Sequence, residues 1–335
     1  MINLYTKLAR NPKLFLSFTG MHLHTFQELL PQFEQAYLQL EIRRKERLLR
    51  TGRNRKRAAG AGKPFSNDLT NRLLMLLIYY RLYLTQDFLT ILFKASNKSL
   101  ICRSIQHIRP VVESVVPTPD RSLNRILSLA KSEHERRQKR IGTIEEFREA
   151  YPELSFVIDG VEQPKRKPEN KEKRKSDYSG KKKRHTRKQL ITGTPSGIIV
   201  DLSPSVGGRS HDFQVFKDDR AARGILDKLK PYRSTLYGDS GFQGMADMGL
   251  PLEVRLIERG RRNHPLKREQ RKLNSLRSSI RVKIEHTISR RKKYRIAGEQ
   301  YRNRDEDYDQ TMTIVAGLVN LRAYERIFQR TGVRL

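Results

Sequence analysis

The sequence predicts an α/β protein: an all-α N-terminal part followed by a mixed sheet flanked by helices. Three observations predict it. Up to about residue 116, apolar residues recur at helical spacing. From Leu154 they gather into runs of strand length, and beyond Ser210 strand-length and helix-length patterns alternate. With 335 residues and 36% hydrophobic content, the chain can bury at least one sizeable core.

The first packing helix is marked by Phe26, Leu29, Leu30, Phe33, Tyr37 and Leu40 at helical spacing. It runs into "RRKERLLRTGRNRKRAAGAGK" (43–63), whose Gly/Ala end cannot pack a core. That stretch reads as a basic arm, either a plain linker or a DNA contact, and it closes a first segment set at 1–64. A unit at 65–118 holds three helical patterns: "NRLLMLLIYYRLYL", apolar nearly all round; "TQDFLTILF", capped by Thr85; and "KASNKSLICRSIQHIRPVVESVV", capped by Ser96 or Asn97. A short helix, a tight turn and a helix with basic first turns make a helix-turn-helix, which places Lys98, Arg103 and Gln106 toward a DNA major groove. A plain three-helix bundle has the same pattern. Pro117 and Pro119 close the unit, and 119–150, with "EHERRQKR", reads as a charged helical linker.

The α/β part is set at 151–330. "LSFVID" is a first strand; "KQLITGT" and "GIIVDLSPS" form a hairpin around Pro-Ser-Gly; a helix follows at "HDFQVFKDDRAARGILDKL". "STLYGDS" and "LEVRLI" are further strands. A long helix covers Lys267 to Tyr294, and a last apolar helix covers Met312 to Phe328.

A formal charge of +33 with a pI near 10.5 calls for a polyanion, and nucleic acid is the commonest; anionic membrane is a weaker rival. No run of 18 apolar residues exists, and the best stretch, "LLMLLIYYRLYL" (73–84), carries Arg81. The first residues lack a signal-peptide core. A single cysteine, Cys102, excludes an internal disulfide and a cysteine zinc cluster. The expectation is a cytoplasmic, nucleoid-associated protein bound to double-stranded DNA, with no membrane partner.

Two strands finish in aspartate: Asp159 in "FVIDG" and Asp239 in "YGDSGFQG". On neighbouring strands their carboxylates stand side by side and repel, a cost that a divalent cation removes. Oxygen-only ligands select Mg2+ or Mn2+ over zinc. Turn capping explains the same two residues. On the long basic helix Arg281, Glu285 and Lys292 share one face. Glu285 either completes a metal site whose cationic neighbours hold a phosphate backbone, or forms a surface pair with Arg281 worth a few tenths of a kcal/mol.

The series "VIDG" (157–160), "YSGKKKRHTRKQ" (178–189), "GGRSHD" (207–212), "YGDSGFQG" (237–244) and "IRVKIEHTISRRKKYRI" (280–296) resembles the catalytic domain of IS5-family DDE transposases, in particular their Harbinger-like branch. Arg281, Glu285 and Lys292 match a Tyr-x2-Arg-x3-Glu-x6-Lys signature, with Ser278 at the tyrosine position. The resemblance implies an RNase H-like fold in which Asp159, Asp239 and Glu285 are catalytic and hold Mg2+, with Mn2+ as a substitute. It implies cutting of the inverted-repeat ends of an insertion sequence and their joining to target DNA, by a homodimer on DNA. Metal-assisted in-line displacement needs no covalent protein nucleophile. The loop from Lys165 to Lys188 carries thirteen lysines or arginines against three acids; it is expected to clamp DNA through Lys181, Lys182, Lys183, Arg184, His185 and Lys188, the alternative being a solvated hairpin. Arg281 and Lys292 are expected to hold the substrate strand. Asp212 is expected first to cap a helix, with His211 beside it unassigned; His185 and His286 suit a phosphate contact or ordinary packing, and Tyr178 suits packing or base stacking. The other readings are a nuclease without strand transfer and an inactive or regulatory DNA-binding derivative.

Overall fold

The computed structural model describes residues 4–50, 67–137, 154–223, 228–229, 234–260 and 265–332. The greater part of the basic arm and the end of the charged linker, at 51–66 and 138–153, lie outside them. The chain divides into two compact units: Met1–Val116 with Lys293–Ala297, and Pro117–Lys292 with Gly298–Leu335.

The first unit is helical throughout its described residues. Helices α1 (Leu4–Ala9), α2 (Pro12–Thr19) and α3 (Leu23–Arg50) precede α4 (Leu69–Leu82), α5 (Gln86–Leu92) and α6 (Lys98–Val115). Capping sets their starts: Asn11, Asp68, Thr85 and Asn97 each accept a backbone N–H of the first turn. Asn97, not Ser96, is the cap of α6. Every residue of α4 from Asn71 to Tyr80 is buried, as its all-round apolar pattern requires. The sequence divided this region at residue 64, but α3 packs on α6, so residues 4–116 belong to one compact unit.

The second unit begins with α7 (Pro119–Arg137), expected as a connector. Its first turns instead enter the core: Leu123, Ile126 and Leu127 are buried with Phe156, Ile158, Leu190, Val215, Phe216 and Leu236. The strands are β1 (Ser155–Pro164), β2 (Tyr178–Ser179), β3 (Arg184–Gly193), β4 (Ile199–Leu202), β5 (Val206–Gly207), β6 (Thr235–Gly238) and β7 (Glu253–Leu256). They form one mixed sheet in the order β2-β3-β1-β6-β7, with β4 and β5 also on β3. β3 runs antiparallel to β1, whereas β6 is parallel to both β1 and β7. The expected Pro-Ser-Gly turn joins β3 to β4 and uses Gly197 at φ 94, where an L side chain is strained.

Between β1 and β3, the stretch from Lys165 is not one loop. Asn170 caps a short helix, α8 (Lys171–Asp177), which leads into a β2–β3 hairpin with Tyr178 opposite His185 and Ser179 opposite Arg184. Helix α9 (Asp212–Arg223) contributes Val215 and Phe216 to the core, and α10 (Arg268–Lys292) packs on β1 and β3 through Ile284, whose Cδ1 lies beside Gly193. After the one-turn helix α11 (Arg295–Gly298), helix α12 (Tyr308–Thr331) is buried along Thr311 to Asn320. Asn320 joins it to the sheet by accepting Ile199 N at 2.7 Å and donating to Ile199 O at 2.8 Å.

Candidate active site

Asp159 lies mid-strand rather than at a strand end, because β1 continues to Pro164 along its antiparallel partner β3. Its parallel partner is shorter. The β1–β6 ladder pairs Ser155 with Thr235, Phe156 with Leu236 and Val157 with Tyr237. Two residues further on, the same register sets Asp159 level with Asp239, just past the end of β6. Both carboxylates also accept local N–H groups: Asp159 Oδ1 from Gly160 at 2.8 Å, and Asp239 Oδ1 from Gly241 at 2.7 Å, opening a 3-10 turn. Turn capping and carboxylate pairing therefore coexist.

Glu285 arrives from α10. That helix is anchored in its first half by Arg277, whose Nη1 donates to Leu256 O at 2.7 Å and to Glu258 at 2.8 Å. Near its end, fully buried Arg291 donates to Gln189 Oε1 at 3.0 Å, and Gln189 Nε2 donates to Asp309 at 3.2 Å. Arg291 is thus an anchor within the core rather than one of the cations facing a substrate. Between the anchors, the Arg281 guanidinium bonds Glu285 through Nη2 and lies 3.7 Å from Asp159 Oδ2 through Nη1. The expected i,i+4 pair forms, and it also joins the helix acid to the strand acid.

The Asp159 carboxyl is pushed up to about 6, chiefly by burial; Asp239 and Asp212 push the same way, against the Gly160 N–H and Arg281. Such crowding is the state a bound cation relieves. Among the described residues, no group of three or more His, Cys, Asp or Glu side chains is arranged to hold a metal ion. Here the Arg281 guanidinium is the cation shared by Asp159 and Glu285. The donor set, three carboxylates with oxygen atoms alone, suits a hard divalent cation.

The other expected residues divide sharply. Lys181, Lys182, Lys183 and Arg184 are exposed around the turn of the β2–β3 hairpin, and Lys183 adopts φ 52. Lys292 lies close enough to feel both Lys182 and Asp159: desolvation lowers its pKa, Lys182 and Arg291 add to that, and Asp159 opposes it. Lys292 therefore lies near Asp159, and Lys182 near Lys292. Lys188 instead is buried, with Nζ 2.8 Å from Asp212, 3.4 Å from Glu162 and donating to Ser210 O at 2.7 Å, so its charge is spent inside the fold. The alternation of β3 decides this, since Lys188 stands directly across from Glu162 on β1.

Asp212, expected mainly as a cap, is the first residue of α9 and a neighbour of the site. A Cβ on Gly160 would lie 2.6 Å from its Oδ2, so only glycine permits that approach. His211 is exposed beside it. Tyr178 is exposed, and its ring meets His185 edge-on at 5.6 Å. Both line a groove of about 560 Å3 with Lys167, Arg174, Lys175 and Arg209. Glu162 escaped the sequence reading; its signal was its cross-strand position opposite a lysine. In the other unit, Lys98 and Arg103 are exposed at the start of α6; Lys98 pairs with Asp87 at 2.9 Å and Arg103 Nε donates to Ser99 O at 3.2 Å.

Residues 158–320 match the family described as DDE superfamily endonuclease. The matched span takes in Asp159, Asp239 and Glu285. The chain is also 27% identical over 254 residues, 75% of its length and 80% of the other's, to a protein of Microchaete diplosiphon named "Probable transposase for insertion sequence element IS702". The matched family and this relative together support a DDE transposase. No solved structure matches it. DDE superfamily endonucleases use divalent metals, in keeping with the oxygen-only donor set, and a transposase acts on DNA, in keeping with the net charge of +33. Among the described residues of this transposase, no helix is long and apolar enough to cross a membrane.

Proposed function

We propose that this transposase binds the inverted-repeat ends of an insertion sequence, cuts them and joins them to target DNA, with Asp159, Asp239 and Glu285 holding Mg2+, or Mn2+ in its place. The observation that carries the reading is the parallel β1–β6 register, which sets the first two carboxylates level beside α10. A sheet whose first strands are antiparallel and whose remaining strands are parallel, ordered β3-β1-β6-β7, supports an RNase H-like fold. The five motifs quoted above support the IS5 family and its Harbinger-like branch.

When bound, the metal supplies the charge that activates an attacking hydroxyl and stabilises the departing oxygen. The chain's own residues do the rest. Asp159, costly to ionise, gains most from a cation. Arg281 neutralises Asp159 and Glu285 in the resting protein and is released toward a phosphate when another cation serves them. Lys181, Lys182, Lys183, Arg184 and Lys292 hold the backbone beside the carboxylates, with His185 in the adjoining groove. Lys188 positions Asp212 and Glu162 instead of touching DNA. In the first unit, α5 and α6 act as a helix-turn-helix that presents Lys98, Arg103 and Gln106 to the major groove. That unit recognises DNA, the other does the chemistry, and two copies pair the two element ends.

A supercoiled donor plasmid bearing the element ends, incubated with target DNA and Mg2+, tests this reading. Asp159→Asn, Asp239→Asn and Glu285→Gln are each expected to abolish cleavage while end binding persists. Normal cleavage by all three variants overturns the assignment, and cut ends that never join reduce the activity to that of a nuclease.

A further inference from the structure

The carboxylates occupy only one side of α10. At about 100° per residue, Lys283, His286 and Arg290 lie about 140–200° round the helix from Arg281, on the opposite face. There they line a second cavity, about 210 Å3, together with Ser196 of the β3–β4 turn and with Arg326 and Arg330 of α12. No acidic residue is among its walls. The cavity is concave, and all its ionisable side chains are basic.

Its geometry is built rather than incidental. Gly197, already committed to a left-handed φ of 94, would place a Cβ 2.7 Å from Arg290 Nη1 and 3.7 Å from Arg326 Nη2. Two guanidinium groups thus converge where the turn has left out a side chain. Arg326 Nη2 is buried without a hydrogen-bond partner. Desolvation lowers the Arg326 pKa to about 10, with Arg290 and Arg322 acting in the same direction against Glu325. Like charges that are crowded and partly desolvated cost stability, and an anion in the cavity removes the cost. The planar fork of arginine matches the oxygens of a phosphate bidentately.

We propose that this cavity holds a backbone phosphate of DNA on the face of α10 turned away from Asp159 and Glu285. It is a contact separate from the strand being cut, and it rests on the reading of the chain as an enzyme acting on DNA. Since an α-helix with its side chains is about 10–12 Å across, the duplex engages both faces of α10 at different phosphates, or two segments engage one face each.

The full-length chain, assayed with a duplex bearing an element end in metal-free buffer, tests it through the slope of log affinity against log salt. Arg290→Gln/Arg326→Gln is expected to lower that slope by about one and to weaken binding several-fold at moderate salt. Arg290→Lys/Arg326→Lys keeps the charge and is expected to keep the slope. A Gln pair with wild-type slope and affinity overturns the proposal. So does a Lys pair as impaired as the Gln pair, which marks a structural effect, and so does a site that inorganic phosphate stabilises in thermal melts while DNA binding ignores it. Cleavage by the three carboxylate variants sinks the enzymatic reading and leaves the slope untouched, so the two failures are distinguishable.

Discussion

Replacing Asp159 with asparagine is expected to make the metal-free protein more stable at neutral pH. The side chain is 20% exposed, and its carboxyl rises from an ordinary 3.8 to about 6. Below pH ~3 the group is protonated whether the chain is folded or unfolded, and nothing is lost. As pH rises, the unfolded chain releases this proton first. Stability then falls until the folded carboxyl has ionised as well, near pH 6. The full rise corresponds to ~3 kcal/mol. Asparagine keeps the shape and cannot ionise; the rise is already net of the Arg281 attraction, which leaves a gain of up to ~3 kcal/mol at pH 7. Urea unfolding of wild type and Asp159→Asn in EDTA, repeated from pH 4 to pH 7.5, reads the difference directly. It is expected to be smallest at pH 4 and to grow through the window up to pH 6. Added Mg2+ is expected to narrow it, by stabilising wild type alone. A difference that stays flat with pH, or a variant weaker than wild type at pH 7, refutes the reasoning, because the carboxyl is then not an acid held at a cost.

Arg281→Gln takes away the cation shared by Asp159 and Glu285; without that competitor, Mn2+ is expected to bind several-fold more tightly in the absence of DNA, as calorimetric titration reads it, while cleavage falls. Lysines close in sequence are expected to diverge. Lys188→Met leaves Asp212 and Glu162 unpaired at a largely buried site and is expected to cost ~3–5 kcal/mol in urea unfolding, whereas Lys182→Met is expected to stay within ~0.5 kcal/mol of wild type and to lower the salt slope of DNA binding by about one.

Much of the fold was legible because its signals are local. The all-round apolar pattern of α4, the caps at Thr85 and Asn97, the Pro-Ser-Gly turn and the length of α10 each depend on a few neighbouring residues, and each appears in the structure where the sequence placed it. The stretch after Lys165 was less legible. Its charge suggested a DNA-clamping loop or a solvated hairpin; a hairpin forms, with Tyr178 opposite His185, and the Asn170 cap adds a helix that was not expected.

By itself the sequence determined most of the element types, the basic net charge and the motif spacing on which the proposal for Asp159, Asp239 and Glu285 rests. Only the tertiary structure decided which charges face outward. Lys188 and Arg291 sit in basic runs indistinguishable from their neighbours, yet pairing across β1 and β3 buries one, and anchoring to Gln189 buries the other. Tertiary structure likewise crowded Asp159 with Asp212 and Asp239 and set Arg281 between two acids. The reason is physical: an ionisable group's state depends on the solvent it has lost and on charges brought near by folding, and neither is written in the residues beside it along the chain.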